Sequence, residues 1–250
     1  MVQLKGEAKQ QYVANLFSRI AGRYDLMNDL MTWGMHRRWK HEAARIAIQD
    51  LVLGVAGDAL DVATGTGDLS LALARRSGIN RVVGVDLLPG MIDLAKSKTA
   101  AAGLSGCIEY VTGDALALPF PDNTFVCCIA GFSLRNMPGN QGADGIQQAV
   151  GEMARVVRPD GRVVTLELTP MARSGSSAIL RLYFRRIVPV MGHIVAGNKA
   201  AYTYLPESVD NFPAATQLEE LFQDAGLVSV GFKTMGLGAV AVHWGSKSKP

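Results

Sequence analysis

Cysteine is scarce in this sequence: three cysteines occur among 250 residues. Two of them, Cys127 and Cys128, are adjacent in an apolar segment, so a disulfide-stabilised scaffold is excluded and a reducing compartment is indicated. The cysteines and the four histidines also lack the spacing of metal ligands. We therefore expect a cytoplasmic protein without a metal site.

The sequence also lacks long apolar runs and a strong charge of either sign. No segment offers the roughly 20 uncharged apolar residues that span a bilayer, and the first residues lack the apolar stretch of a signal peptide. The net charge of +3 is too small to indicate a nucleic-acid partner. A hydrophobic content of 48% with 19% charged residues is typical of a globular protein, and we expect residues 1–250 to form one domain.

The most informative feature that is present is segment 59–68, where an apolar strand is followed by a glycine turn and a helix start. Gly65 and Gly67 allow a ligand to approach the backbone closely. Ser70 stands where a dinucleotide-binding turn has its third glycine, and the carboxylates of Asp61 and Asp68 would repel a diphosphate. They suit the cationic groups of S-adenosylmethionine instead, although a GxG segment by itself is equally compatible with an ordinary strand-to-helix turn.

Two further strand ends also carry an acidic residue. Asp86 ends a second apolar strand roughly twenty residues after the glycines, where a carboxylate can accept both ribose hydroxyls. Asp114 follows a third strand and is placed to accept from an adenine amino group. The alternative for Asp86 is a helix cap. Because parallel strands present their carboxyl ends at one edge of a sheet, three such acids favour a nucleoside site.

Alternating strands and helices predict an α/β fold with a doubly wound, mostly parallel seven-stranded sheet that ends in an antiparallel hairpin. The expected strands are 58–63, 81–86, 108–112, 125–131, 161–168, 228–233 and 238–244. The expected helices are 68–77, 90–102, 142–157 and 215–225. Four segments are expected within the one domain: a helical cap over the ligands (1–50), a cofactor-binding core (51–168), a substrate-side insertion (169–214), and a C-terminal helix with the hairpin (215–250).

Several motifs give the chain a resemblance to a known family over residues 12–245. They are FSRIAGRYDLMNDLM at 17–31, GTGD at 65–68, ALPFPDNTF at 117–125 and LRN at 134–136, followed by Tyr202, Tyr204, Leu205 and Ser208. The sequence resembles the ubiquinone/menaquinone biosynthesis C-methyltransferases. The runs around residues 24 and 135 are much more specific for this family than the glycine turn is.

The resemblance implies the class I methyltransferase fold and methyl transfer from S-adenosylmethionine to a ring carbon of a reduced polyprenyl quinone. The predicted cofactor residues are Tyr24, Met27, Asn28, Asp61, Gly65, Thr66, Gly67, Asp86, Leu87, Asp114, Ala115 and Gly131. The predicted substrate residues are Phe132, Arg135, Asn136 and Tyr202. The predicted catalytic residues are Arg135, Asn136, Tyr24 and Asp25.

Two positions depart from the family pattern. Gly131 replaces a serine, and Val126 replaces a residue that is commonly acidic. Ser133 is not expected to substitute for the missing hydroxyl, because two residues along a strand displace a side chain by about 6–7 Å.

The expected chemistry requires a quinol oxygen to lose its proton, and a phenol of this kind has a pKa near about 10. Arg135 stays protonated, so it is expected to stabilise the phenolate and polarise a water rather than act as a base. Asn136 and Tyr24 would orient the quinol, with Asp25 as a proton acceptor. The alternatives are that Arg135 and Asn136 only cap a loop, and that Tyr24 belongs to the core.

The insertion contains segment 179–191, which mixes bulky apolar residues with three arginines. This pattern predicts a helix that meets a prenyl chain at the cytoplasmic membrane surface, so that the protein is peripheral to the membrane, or else a helix that covers a core or a homodimer interface. His193 in this region is interpreted as structural. His36 and His41, beside Arg37 and Arg38, indicate a solvated face or a headgroup contact.

Two other functions remain open at this level. One is methylation of another aromatic or isoprenoid acceptor, and the other is a non-catalytic assembly partner that only binds the cofactor. The retained Tyr24, Arg135 and Asn136 argue against the second. The motifs do not distinguish a naphthoquinol from a benzoquinol.

Overall fold

The structure is a computed structural model that describes residues 5–49, 56–139, 143–170, 180–196 and 199–249, apart from the side chains of residues 196 and 199–201. Its strands are β1 (Gly57–Val62), β2 (Ile79–Asp86), β3 (Ile108–Thr112), β4 (Phe125–Gly131), β5 (Val157–Leu168), β6 (Leu227–Met235) and β7 (Val240–Lys247). They form a seven-stranded sheet in the order β3-β2-β1-β4-β5-β7-β6. Neighbours are parallel from β3 to β5, and β7 is antiparallel to β5 and β6. The predicted sheet is confirmed.

The bounds of β1, β2, β5, β6 and β7 differ from the prediction, and backbone pairing and turn geometry explain the starts of β5 and β7. β5 begins earlier than residue 161, since Val157 already pairs with Phe125 of β4 before the register shifts. β7 begins at Val240 rather than at 238, because Leu237 (φ 57°) and Gly238 (φ 82°) adopt the left-handed conformation in the hairpin turn.

Helices cover both faces of the sheet. They are α1 (Gly6–Ile20), α2 (Tyr24–Thr32), α3 (Met35–Ile48), α4 (Asp68–Ala74), α5 (Pro89–Ala101), α6 (Asp144–Val156), α7 (Val188–Ala196), α8 (Lys199–Asp210) and α9 (Ala215–Asp224). Side chains of α3, α4 and α5 join the apolar core on one face, and those of α6 and α9 form the core on the other. The predicted helix 68–77 ends early, at Ala74.

Short turns divide the N-terminal segment. A 3₁₀ turn at Ala21–Arg23 separates α1 from α2, and left-handed residues Trp33 (φ 52°) and Gly34 (φ 72°) end α2. The backbone N–H groups of Trp33 and Gly34 both donate to the carbonyl of Asp29, which satisfies the end of the helix. This cap leaves Trp33 87% exposed.

The described part of segment 169–214 packs against α2. It contributes a π-helical turn at Tyr183–Ile187, followed by α7 and α8, while residues 171–179 and 197–198 lie outside the described ranges. Tyr183 Oη donates to the Met31 carbonyl at 3.2 Å, and Arg23 Nη1 donates to the Val195 carbonyl at 2.8 Å. Among the described residues, no helix combines the length and the apolar character needed to cross a bilayer.

Candidate active site

Asp61 supports the glycine turn from inside the core. Its carboxylate is fully buried, and Oδ2 accepts hydrogen bonds from Thr64 Oγ1 and Ser70 Oγ, each at 2.6 Å. Burial raises the pKa of Asp61 to about 6, although these two hydrogen bonds oppose that shift. Ser70, at the position of the absent third glycine, therefore fastens helix α4 to the end of β1.

The glycine turn connects β1 to Asp86 at the end of β2. Gly65 (φ 56°) donates its N–H to Asp86 Oδ2 at 2.8 Å, and the N–H of Leu88 donates to Oδ1 at 2.9 Å. Gly67 has φ 82°, and a Cβ there would lie 2.5 Å from the hydroxyl of Tyr110. Burial raises the pKa of Asp86, although backbone N–H groups of Leu88, Gly65 and Leu87 oppose that shift.

A cavity opens along the carboxyl edge of the parallel strands; we call it the edge cavity. It holds about 820 Å³ of empty space including its open mouth. Nine of the predicted site residues line it: Tyr24, Gly65, Asp86, Leu87, Asp114, Ala115, Gly131, Phe132 and Asn136. Asp61, Met27, Thr66 and Gly67 do not line it, and the first two are fully buried.

Helix α1 lies against the edge cavity. Gln10 Nε2 donates to Asp114 Oδ2 at 3.0 Å, while the N–H of Leu116 donates to Oδ1 at 2.9 Å. Lys9 Nζ donates to the carbonyl of Met137 at 2.7 Å and to that of Arg135 at 3.2 Å. Sequence reasoning missed Lys9 and Gln10, because nothing local to α1 indicates contacts with residues more than a hundred positions away.

The structure shows the surroundings of Gly131 and Val126, the two positions that depart from the family pattern. A Cβ at Gly131 would lie 2.6 Å from Leu69 Cδ1, so a side chain there requires Leu69 to move. Phe132 has φ 58° and turns the chain out of β4, which places Gly131 and Ser133 along the same cavity despite the strand spacing. Ser133 Oγ is buried beside this cavity without a hydrogen-bond partner. Val126 is buried in the core.

A second cavity adjoins the first; we call it the tyrosine cavity. It holds about 740 Å³ including its mouth, and Phe17, Tyr24 and Phe132 line both cavities. Its other lining side chains include Asn28, Met31, Arg135, Phe184, Tyr202 and Tyr204. A molecule in the tyrosine cavity therefore meets a molecule in the edge cavity at three shared aromatic side chains.

Arg135 is fixed at the tyrosine cavity by a buried carboxylate. Its Nη1 donates to the Phe132 carbonyl at 2.6 Å and to Glu167 Oε2 at 3.2 Å, while its Nε is buried without a hydrogen-bond partner. Glu167 is fully buried, and its Oε1 accepts the N–H groups of Ser133 at 2.5 Å and Leu134 at 2.7 Å. Burial raises the pKa of Glu167, and the charge of Arg135 opposes this. Glu167 was missed from the sequence, although it is an acid at a strand end like Asp86.

Tyrosine hydroxyls supply further polar groups. Tyr204 Oη donates to Asn136 Oδ1 at 3.2 Å, so a residue of the tyrosine cavity holds one of the edge cavity. Tyr202 Oη is buried without a partner, and burial raises the pKa of this phenol. Arg135 and Tyr202 therefore line the tyrosine cavity as hydrogen-bond donors, whereas the Tyr204 hydroxyl already donates to Asn136.

Asp25 and Thr66 lie outside both cavities. Asp25 Oδ2 is 2.5 Å from Lys98 Nζ, and its Oδ1 accepts from Thr66 Oγ1 at 2.7 Å. Lys98 also pairs with Asp68 at 2.6 Å, and Asp68 pairs with Lys40 at 2.6 Å. This network joins α2 to α3, α4 and α5 and engages the carboxylate that the sequence suggested as a proton acceptor.

The basic segment 36–41 is divided between a cavity and the surface. His36 and Lys40 are buried and line the tyrosine cavity, whereas Arg37, Arg38 and His41 are exposed. The Nδ1 atom of His36 lies 3.0 Å from Thr32 Oγ1. Burial and the positive charge of Lys40 lower the pKa of His36. His193 is exposed and lines neither cavity.

Comparison with known proteins gives a consistent picture. The model of the ubiE/COQ5 methyltransferase family matches residues 5–247. The chain is 40% identical over 232 residues to a demethylmenaquinone methyltransferase of Thermus thermophilus, covering 93% of this chain and 100% of the relative. It is 38% identical to the ubiquinone/menaquinone biosynthesis C-methyltransferase UbiE of Desulfotalea psychrophila, covering 94% of this chain and 90% of that relative.

Solved structures share the fold at lower identity. A putative S-adenosylmethionine-dependent methyltransferase from Methanococcus maripaludis superimposes with a TM-score of 0.60 at 18% identity, covering 92% of this chain and 93% of that one. The similarity is to the α/β architecture that surrounds the edge cavity.

Proposed function

The chain belongs to the ubiE/COQ5 methyltransferase family, and on this premise we propose how its two cavities share the methylation of a reduced polyprenyl quinone. The protein is an S-adenosylmethionine-dependent C-methyltransferase of menaquinone or ubiquinone biosynthesis. The observation that carries the division is the common wall of Phe17, Tyr24 and Phe132, where a donor and an acceptor would meet.

We assign the edge cavity to S-adenosylmethionine, which supplies an electrophilic methyl group. Asp86 would accept the ribose hydroxyls alongside the N–H groups of Gly65 and Leu88. Asp114 would accept from the adenine amino group, either beside Gln10 or in its place. Ser133 fits this assignment as well, because its buried hydroxyl lacks a partner beside the cavity.

We assign the tyrosine cavity to the quinol. A phenol with a pKa near about 10 is mostly protonated at neutral pH, so a fixed cation next to its oxygen favours the nucleophilic phenolate. Arg135 provides that cation, and its guanidinium does not take the proton itself because it offers only hydrogen-bond donors. Glu167 holds the guanidinium in place, and Tyr202 would orient the ring.

We propose that Asp25 has a positioning role instead of accepting the proton. Its carboxylate is held by Lys98 and Thr66, and it lines neither cavity. It would fasten α2 and thereby Tyr24, which does line both cavities, to the core.

We also propose that the protein works at the cytoplasmic membrane surface as a peripheral protein, because a polyprenyl quinol resides in the bilayer. Segments 1–50 and 169–214 would act as the substrate-side cap and insertion, since the tyrosine cavity lies between their described residues. A homodimer is the competing use of the insertion.

The direct test is methyl transfer under anaerobic conditions. The purified protein is incubated with methyl-labelled S-adenosylmethionine and a reduced, short-tailed naphthoquinol or methoxy-benzoquinol. The masses of the products are measured by mass spectrometry. We expect one quinol to gain a single labelled methyl on carbon. Cofactor binding without label in either quinol would favour another acceptor or a non-catalytic partner.

A further inference from the structure

Helix α2 and segment 183–196, which both contribute side chains to the tyrosine cavity, also carry apolar side chains that are exposed to solvent. In α2, Tyr24, Asn28 and Met31 line the cavity at helical spacing. The other side of α2 and the surface of segment 183–196 expose large apolar residues, which we call the outer face: Leu26, Leu30, Trp33, Ile187, Val190 and Ile194. Trp33 is 87% exposed and Ile194 is 75% exposed, which is unfavourable for side chains of this size in water.

These helices are joined directly, so their exposed residues belong to one region of the surface. Arg23 Nη1, from the turn before α2, donates to the Val195 carbonyl at 2.8 Å, and Tyr183 Oη donates to the Met31 carbonyl at 3.2 Å. Phe184 and Met31, which belong to these same two segments, line the tyrosine cavity. The outer face thus lies on the outside of the same walls that enclose the acceptor cavity.

The charges around the outer face are those expected next to an anionic surface. Segment 180–196 contains three arginines and no acidic residue. The acids of α2 are both engaged by cations, because Asp25 pairs with Lys98 and Asp29 pairs with Arg37 at 2.6 Å. Arg38 and Arg186 are exposed as well, whereas the charge of Arg37 is engaged by Asp29. Exposed tryptophan and aliphatic side chains with basic residues at their edge are typical of helices that lie in a lipid interface.

We propose that the outer face is the surface by which this enzyme enters the headgroup layer of an anionic bilayer, with Trp33 and Ile194 inserted and the exposed arginines at the phosphates. This proposal rests on the proposed function, because a quinol substrate that resides in the bilayer identifies the bilayer as the partner of the outer face. The proposal differs from a contact made chiefly by the three arginines of segment 179–191. Arg181 and Arg185 both pair with Asp210, at 3.3 Å and 2.7 Å, so part of that charge is already used within the protein.

The test compares two matched double variants. The first is Trp33→Asn with Ile194→Asn, on the outer face. The control is Leu237→Asn with Val228→Asn, on the C-terminal hairpin, where Leu237 is 71% exposed. Trp33 and Leu237 have φ of 52° and 57°, and asparagine tolerates that conformation, so the backbone effects are matched. Binding is measured by co-sedimentation with vesicles of phosphatidylglycerol and phosphatidylethanolamine, alongside turnover of a short-tailed soluble quinol and of a vesicle-borne prenyl quinol.

We expect the outer-face variant to bind vesicles about tenfold more weakly or worse, since two large apolar side chains leave the interface. It should keep the parent's turnover of the soluble quinol and lose turnover of the vesicle-borne one, while the control behaves as the parent does. The proposal is overturned if the parent stays in the supernatant, if the outer-face variant binds as the parent does, or if the control loses as much. A change in oligomeric state with unaltered vesicle binding would assign the face to a second copy of the chain. Failure of the parent to methylate the soluble quinol would instead count against the proposed function.

Discussion

The edge cavity and the tyrosine cavity are built in different ways. The edge cavity is formed mainly by strand ends and the turns that directly follow them, with α1 and Tyr24 along one side. Its Asp86 is held by N–H groups only two and twenty-one residues away. The tyrosine cavity is assembled from α1, α2, α3, the loop after β4 and segment 180–205. The strand-end part of the first cavity is thus encoded by local sequence, whereas the second cavity forms only where distant segments meet. Binding of the donor should depend on the first and turnover of the quinol on the second.

The largest effect should come from Arg135. We expect Arg135→Lys and Arg135→Ala to bind S-adenosylmethionine as the parent does but to lose roughly tenfold to a thousandfold in turnover of a reduced quinone. Lysine keeps the charge but loses the planar guanidinium, whose Nη1 donates to both Glu167 and the Phe132 carbonyl. Steady-state kinetics with a short-tailed quinol measures this. Undiminished turnover of the alanine variant would return Arg135 to a loop-capping role.

The next effect should be on the donor side. We expect Asp86→Ala to weaken the binding of S-adenosylmethionine by about 1.5–3 kcal/mol for each charged hydrogen bond that is lost. Calorimetry measures this affinity. Asp93→Ala, at an exposed position of α5, is the matched control. Affinity within a factor of two of the parent for both variants would remove Asp86 from the site.

The contrast also shows how far the sequence predicts this protein. The strands, the hairpin and the acidic residues Asp86 and Asp114 could be predicted from the sequence, because the signal for each lies within a few residues of its strand. Gln10 and Glu167 were not recognised, since their importance depends on partners in Asp114 and Arg135 that only the folded chain brings near. Asp25 lies in the most specific motif, yet its partner Lys98 is in a different helix, and no spacing rule indicates that pair.

Asp61 should affect the pH dependence of the free energy of unfolding, in contrast to the residues that are expected to contact the ligands. Its pKa is raised to about 6 in the folded protein, above the ordinary value of 3.8, so folding favours the protonated form. This contribution is complete below about pH 4 and is lost as the pH rises through about 6. Relative to the parent, Asp61→Asn should therefore gain free energy of unfolding between pH 4.5 and 7.5, on the order of a tenfold change in the unfolding constant. Urea titrations of both proteins across that pH range measure the free energy of unfolding. A difference between parent and variant that does not change with pH would contradict the raised pKa of Asp61.

The smallest effect should come from Asp25, which tests its place outside the tyrosine cavity. We expect Asp25→Asn to change the free energy of unfolding by about 0–1 kcal/mol, as partly exposed ion pairs do. Turnover should stay within a few-fold of the parent, and the pH profile should keep its shape. A loss of about a hundredfold or more, with a shifted profile, would establish Asp25 as the proton acceptor after all.

The division between the two cavities is tested most directly by one paired measurement on Asp86→Ala and Arg135→Lys. For each variant, calorimetry gives the affinity for S-adenosylmethionine, and a single-turnover experiment at saturating labelled donor gives the rate of methyl transfer to a short-tailed quinol. We predict weak binding with a near-parent rate for Asp86→Ala, and parent binding with a slow rate for Arg135→Lys. If both variants lose affinity and rate in the same proportion, the two cavities do not divide donor binding from acceptor chemistry.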